Sequence, residues 1–293
     1  MEEQHPIRVL LQSAGGPELA ELRQTVADRG DGLPVQLAQG QQVAGIGVGC
    51  PGTVDGGIVR YSNNLGWHDF AMGDYLRAKT GLPVALANDA NAAAKGEATF
   101  GAAKGYRDSL FITIGTGVGG GIIIDGKIYS GFNFSGAELG HTVIVKDGDE
   151  CPCGRRGCLE AYASASGLIK LTKKRMNADK NTAMWALCGG DISKVNGKTA
   201  FDAKRAGDTA GAEVVAEYIE YLACGIVNFI NIFQPEVLSI GGGISKEGEE
   251  LLAPLREIVE REQYSRHSDK KTVIKIAELG NDAGIIGAAS LGK

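Results

Sequence analysis

"GHTVIVKDGDECPCGRRGCLE", Gly140–Glu160, places one histidine, three cysteines and a closing glutamate within 21 residues. Cys151 and Cys153 are separated by one residue, and Cys158 follows five positions later. The glycines of the intervening GRRG let the chain double back. His141 stands ten residues before Cys151. One imidazole and three thiolates make a Cys3His set suited to tetrahedral zinc. The set is complete, so the zinc is expected to be structural rather than catalytic. Three buried thiols beside a core histidine are the alternative. Disulfides are disfavoured because MEEQHPIRVL is acidic and lacks the build of a signal peptide, which makes the cytoplasm, where thiols stay reduced, the expected compartment. Cys50, Cys188 and Cys224 stand alone in apolar surroundings and are expected in the core.

The 293 residues suffice for one large domain or two ordinary ones. Hydrophobic residues at 43% and charged residues at 22% give a soluble globular balance. A net charge of −5 argues against nonspecific binding to nucleic acid or acidic membranes. No apolar run is expected to span a bilayer, which takes roughly 20 residues. The 44 glycines imply many tight turns. Short apolar runs bounded by Gly or Asp predict strands at Val43–Gly49, Pro83–Asn88, Ser109–Gly115, Gly119–Asp125 and Glu236–Gly242. Helical periodicity lies between them, at Glu18–Ala27, Asp74–Lys79, Asn91–Thr99, Ala163–Arg175, Ala210–Phe233 and Lys246–Glu262. This alternation predicts an α/β architecture. The basic run Lys170–Lys180 reads as a solvated helix face.

Two glycine-rich corners are candidates for phosphate. "IGTGVGGG" (Ile114–Gly121) follows a strand and opens another. Its glycines admit close backbone approach, Thr116 adds a hydroxyl, and successive amides can form an anion nest. It fits neither the dinucleotide fingerprint nor a Walker loop. "IGGGIS" (Ile240–Ser245) lies between a strand and a helix, which suits the phosphate or adenosine side of a nucleotide. "LANDANAAAKGE" (Leu86–Glu97) puts Asn88 and Asp89 where a strand ends and a helix begins. Asp89 could be only the helix cap, or a carboxylate at the sheet edge where α/β sites form. "SGAELGH" (Ser135–His141) adds Glu138, three residues before His141.

Taken together these stretches resemble the ROK family of bacterial sugar kinases and sugar-responsive repressors. The residues that carry the resemblance are "GIGVGCPG" (Gly45–Gly52), "NNLGW" (Asn63–Trp67), "NDANAAAKGE", "GTGVGGG", "GAELGH", "CPCGRRGCLEAYAS" and "IGGGIS", in the family's order. The "NLGW" and "GTGVGGG" wording is most similar to its glucose-phosphorylating members. The resemblance implies a two-domain actin-like ATPase (ribonuclease H-like) fold with an interdomain cleft. The small α/β domain is expected over residues 1–90, with a terminal helix at 283–291 packing back on it, and the large domain over 91–282. ATP, Mg2+ and a structural Zn2+ are the implied cofactors. Asp89 is implied as the general base for the sugar's 6-hydroxyl. Asn64, Asn88, Glu138, His141 and Glu160 are implied sugar contacts. Gly115, Thr116, Gly117, Gly119, Gly120, Gly241, Gly242 and Gly243 are implied nucleotide contacts. His141, Cys151, Cys153 and Cys158 are the implied zinc ligands, the metal holding His141 by one nitrogen and leaving the other for sugar. The partners implied are a hexose, glucose first, and a second copy in a homodimer.

The chain departs from the family in two places. An initial Asp-x-Gly-Gly-Thr turn is absent, and "SAGG" (Ser13–Gly16) lacks its acid and threonine. Ala137 stands where a glycine is common before the glutamate. The missing turn keeps open a sugar-binding protein with little phosphoryl transfer. Fructose, mannose, N-acetylglucosamine and N-acetylmannosamine remain alternative substrates. A repressor would need a helix-turn-helix segment, for which no room is expected.

Overall fold

The computed structural model describes the backbone of residues 8–13, and residues 43–62 and 65–292. Asn64, the helix expected over Glu18–Ala27 and residues 14–16 of the SAGG turn lie outside the described residues. The strands are β1 (Arg8–Ser13), β2 (Val43–Cys50), β3 (Thr53–Asp55), β4 (Ile58–Ser62), β5 (Trp67–Phe70), β6 (Val84–Asn88), β7 (Ser109–Ile114), β8 (Val118–Ile124), β9 (Lys127–Ile128), β10 (Val237–Gly241) and β11 (Val273–Ile276). The helices are α1 (Met72–Thr80), α2 (Asp89–Phe100), α3 (Leu159–Ala163), α4 (Ala165–Ala178), α5 (Met184–Leu187), α6 (Thr199–Arg205), α7 (Thr209–Phe233), α8 (Glu249–Glu262) and α9 (Ala283–Ala289). Three sheets have the orders β1-β2-β6, β3-β4-β5 and β11-β10-β7-β8-β9.

The chain divides into two compact units. Unit 1 takes residues 1–111, 120–137 and 278–293; unit 2 takes 112–119 and 138–277. The division passes through β7 and β8, whereas the sequence placed a boundary near residue 90. Helix α2 stays with unit 1 because its apolar face packs there on α9 and β2.

In unit 1, β1 runs antiparallel to β2, and β2 runs parallel to β6 with Ile46 opposite Val84 and Cys50 opposite Asn88. Both parallel strands therefore end at one edge. Ile46, Val48 and Cys50 alternate with glycines on β2 and join Val54, Val59 and Met72 in one buried cluster. Helices α2 and α9 meet backbone to backbone: a Cβ on Gly287 would lie 1.6 Å from the Ala92 carbonyl oxygen, so only glycine fits. The fully buried Glu97 closes the contact. Its Oε2 accepts the N–H groups of Ala102 (2.8 Å) and Glu278 (3.1 Å), and its Oε1 accepts that of Leu279 (2.8 Å).

Unit 2 is built around α7, 25 residues long and apolar enough by length and composition to cross a bilayer. No such run was expected from the sequence. Tyr218, Leu222, Ile226 and Phe229 on it are buried, the Tyr218 hydroxyl donating to the Ala163 carbonyl at 2.7 Å, which marks a core helix. Cys50 and Cys188 are buried as expected, but Cys224 is exposed. It falls on the outward stripe of α7 with Glu213, Glu217, Glu220 and Asn228. Strands β10 and β11 pair in parallel, Val237 opposite Val273. The helix expected over Ala163–Arg175 is α4, capped by Ser164, whose Oγ accepts the Gly167 N–H; the short α3 before it was not expected. The helix expected over Lys246–Glu262 is split, Gly248 at φ +60° separating a 3-10 turn at Ile244–Glu247 from α8.

Truncating Glu97 strands three backbone donors in or near the core. Glu97→Ala is expected to lower unfolding stability by about 3 kcal/mol and Glu97→Gln by roughly half as much, read from urea denaturation midpoints.

Candidate functional site

Residues 138–160 form the first part of the site and lie in unit 2. Between His141 and Arg156 only Cys151 is buried, so apolar packing does not hold this stretch. Backbone bonds start the job: Leu159 N–H reaches the Thr142 carbonyl at 2.8 Å, Gly157 N–H reaches Asp149 at 2.7 Å, and Cys151 N–H reaches Arg155 at 2.9 Å. Gly154 and Gly157, at φ +85° and +79°, make the two reversals that bring Cys158 back to the earlier cysteines.

The result gathers the ligand atoms of His141, Cys151, Cys153 and Cys158 within 4.8 Å of one another. Cys153 Sγ lies 3.7 Å from Cys158 Sγ, and Cys151 Sγ lies 3.6 Å from His141 Nδ1. Bonds of about 2.3 Å to sulfur and about 2.0 Å to nitrogen at tetrahedral angles require about 3.8 Å between sulfurs and about 3.6 Å between sulfur and nitrogen. These two separations match a tetrahedral zinc-sized ion, and the whole set, within 4.8 Å, needs only a small contraction to close on one. Desolvation pushes the Cys151 thiol up to about 12, whereas the Arg155 backbone amide holds Cys153 below its ordinary value. With Nδ1 turned to the sulfurs, His141 Nε2 faces outward, 4.0 Å from Glu138 Oε2.

Glu160, at the start of α3, lies beside this set, its Oε1 3.7 Å from Cys151 Sγ. Its Oε2 accepts the Val118 N–H at 2.9 Å. That bond reaches the first glycine corner, which turns at Gly115–Gly117 with Thr116 exposed; Gly119 and Gly120 lie in β8. The second corner, Gly241–Gly243, sits against the same strand end. Gly242 has φ +88°, and a Cβ there would lie 2.3 Å from the Ile114 carbonyl oxygen. The two candidate nucleotide corners are thus neighbours in unit 2.

Asn88 and Asp89 belong to unit 1, at the shared edge where β2 and β6 end. The cap of α2 is Asn88 rather than Asp89: its Oδ1 accepts the N–H groups of Ala90 at 2.9 Å and Asn91 at 3.2 Å. An extended ψ of 147° lets Asn88 turn its amide over the helix end, while Asp89 already has a place inside the helix. Asn88 Nδ2 donates to the Gly52 carbonyl at 3.1 Å. Asp89 is exposed, and its Oδ1 accepts the Ala90 N–H at 2.9 Å. Burial, and then the Asp89 charge, push the Cys50 thiol up to about 12, so it stays protonated.

Sequence reasoning gave no role to Gly52 or to Ser166, whose Oγ donates to the Thr116 carbonyl at 2.8 Å. Gly52 stands in the quoted "GCPG"; nothing in the sequence marks Ser166.

Ala137 precedes Glu138 at φ +67°, a left-handed conformation that strains any residue with a Cβ. This is the physical reason a glycine suits the position. Ala137→Gly is expected to raise stability by roughly 0.5–1 kcal/mol after the added freedom of the unfolded chain is subtracted, measured by thermal or urea unfolding.

The ROK family profile matches residues 22–293. The glucokinase of Thermotoga maritima is 40% identical over 261 residues, which are 88% of this chain and 81% of the relative. The glucokinase of Halalkalibacterium halodurans is 42% identical over 252 residues, 85% of this chain and 76% of the relative. The crystal structure of a ROK family glucokinase from Streptomyces griseus in complex with glucose and AMPPNP superposes with a TM-score of 0.74 at 37% identity, covering 86% of this chain and 82% of that one. The α/β architecture is the actin-like ATPase fold of the ROK sugar kinases. A profile spanning nearly the whole chain, and relatives at this identity over most of both lengths, make this chain a member of the ROK family.

Proposed function

We propose that the chain is an ATP-dependent kinase that transfers the γ-phosphoryl group to the 6-hydroxyl of glucose. The observation that carries this reading is the meeting, in unit 2, of two glycine corners with the Glu160 carboxyl group that follows the last cysteine of the donor set. The names of its relatives direct the sugar to glucose.

In this reading Asp89 is the general base. Its Oδ1 is engaged by the Ala90 amide, which leaves Oδ2 to accept the proton of the attacking hydroxyl. As the O–H bond breaks, the sugar oxygen bonds to the γ-phosphorus, the bond to the β–γ bridging oxygen breaks, and ADP leaves. Amides of Thr116, Gly117 and Gly241–Gly243 present partial positive charge to the phosphates, the Gly115 N–H closing the first corner on the Gly117 carbonyl. Mg2+ carried on the nucleotide phosphates would supply neutralisation of their charge. Glu138, His141 and Glu160 hold the hydroxyls at the far end of the sugar, with Asn64 and the free hydrogen of Asn88 Nδ2 on the others. His141 Nδ1 and the thiolates of Cys151, Cys153 and Cys158 would hold the zinc, and an imidazole so held would keep Nε2 for a sugar hydroxyl. The cytoplasm and a homodimer complete the proposal; sedimentation at micromolar concentration tests the latter.

Asp89→Asn is expected to lower kcat by about 10²–10⁴-fold while glucose affinity changes little, in an ADP-release assay across a hexose panel. Equal turnover in the variant removes the base assignment. Glucose binding without ADP release by the unaltered chain supports a sugar-binding protein instead. Purified chain is expected to carry one zinc, and Cys158→Ser to lose zinc and glucose affinity together, by elemental analysis and calorimetry. Unchanged glucose binding in the zinc-free variant breaks that coupling.

A further inference from the structure

Three bonds converge on the first glycine corner, and all come from the segment just after Cys158. Glu160 Oε2 accepts the Val118 N–H at 2.9 Å, the Ala165 N–H donates to the Gly115 carbonyl at 2.8 Å, and the Ser166 hydroxyl donates to the Thr116 carbonyl at 2.8 Å. Within the corner, Gly115 N–H closes on the Gly117 carbonyl at 3.0 Å. Gly117 is shaped by the same carboxyl group: a Cβ there would lie 2.4 Å from Glu160 Oε2. A glycine turn has many accessible conformations when free, so these bonds select one of them.

The segment that makes the bonds is itself fixed. Leu159 is fully buried against Gly225 of α7, its N–H bonded to the Thr142 carbonyl, and the Tyr218 hydroxyl holds the Ala163 carbonyl. Residue 158 is the fourth donor of the Cys3His set. A continuous run of bonded residues therefore joins that donor set to the corner.

We propose that Glu160, Ala165 and Ser166 form a clamp that sets the conformation of Gly115–Val118, so that the cysteine-anchored segment governs nucleotide binding and not only the sugar end of the site. Glu160 and Ser166 then act as positioning residues for the nucleotide. The consequence for nucleotide rests on the kinase reading above; the clamp itself does not. The two ligands are thermodynamically linked, because a sugar hydroxyl on Glu160 and a nucleotide on the corner both bear on one carboxyl group.

Two readouts on the metal-loaded, sugar-free chain test this: amide hydrogen exchange over residues 115–118, and calorimetric affinity for Mg-AMPPNP. Glu160→Ala and Ser166→Ala are each expected to speed exchange at the corner and to weaken nucleotide binding by about fivefold to tenfold, the loss carried by one hydrogen bond. Glu160→Gln and Ser166→Thr, which keep an acceptor and a donor, are expected to remain near the unaltered chain. Metal content is measured alongside, and Ser166→Ala decides the matter if Glu160→Ala sheds its ion. Unchanged exchange at Val118 in metal-loaded Glu160→Ala overturns the clamp. Faster exchange with unchanged nucleotide affinity in both alanine variants overturns its role in nucleotide binding. An unaltered chain that binds no nucleotide overturns the kinase reading, while exchange at Val118 still decides the clamp.

Discussion

The demand that shapes unit 2 is to hold the 16 residues from His141 to Arg156 in one place without a core beneath them. From His141 to Arg156 a single side chain, Cys151, is buried. Backbone bonds alone leave such a stretch marginal, since each contributes only about 1 kcal/mol against the entropy of the residues it orders. Three sulfurs and a nitrogen brought to tetrahedral separations answer the demand in a different way, because one ion can replace the missing apolar contacts. The residues beyond Cys158 inherit that fixed origin: Leu159 enters the core, Glu160 turns to the Val118 amide, and Ser166 reaches Thr116.

The two units use the same device at different places. In each, a glutamate carboxyl group stands in for a missing stretch of secondary structure by accepting backbone N–H groups. Glu97 collects three of them and joins the end of α2 to the turn before α9. Glu160 takes one and leaves its other oxygen beside Cys151. The difference is exposure. Glu97 is sealed and can only be structural, whereas Glu160 is partly open and retains capacity to accept from a ligand.

The parts legible in the sequence were those whose chemistry is local. β2, β6, β7, β8 and β10 are short apolar runs closed by Gly or Asp, and each appears within about two residues of its expected place. The gathering of His141 with Cys151, Cys153 and Cys158 was legible because three cysteines within eight residues, beside a histidine, match the spacing of a metal-ligand set. The β3–β5 meander was missed although its Gly56–Gly57 turn, both at positive φ, is a hairpin signal. Short β11 was missed because four residues carry too little pattern. The cap of α2 was assigned one residue late because Asn88 and Asp89 are both good caps, and only ψ at Asn88 separates them. The three bonds on the glycine corner were not legible at all. They link positions 42 to 50 residues apart, and no local periodicity encodes such a pairing.

Helix α9 is the last element of the described chain, yet it packs on α2 and β2, far earlier in the sequence. Its Gly287 fits against the Ala92 carbonyl so closely that no side chain has room there. The native core of unit 1 is therefore assembled from segments at both ends of the described chain. Unit 2, residues 112–119 and 138–277, does not include α9. Loss of α9 would thus strip packing from β1, β2 and α2, at the opposite end of the sequence, rather than from the segment that directly precedes it.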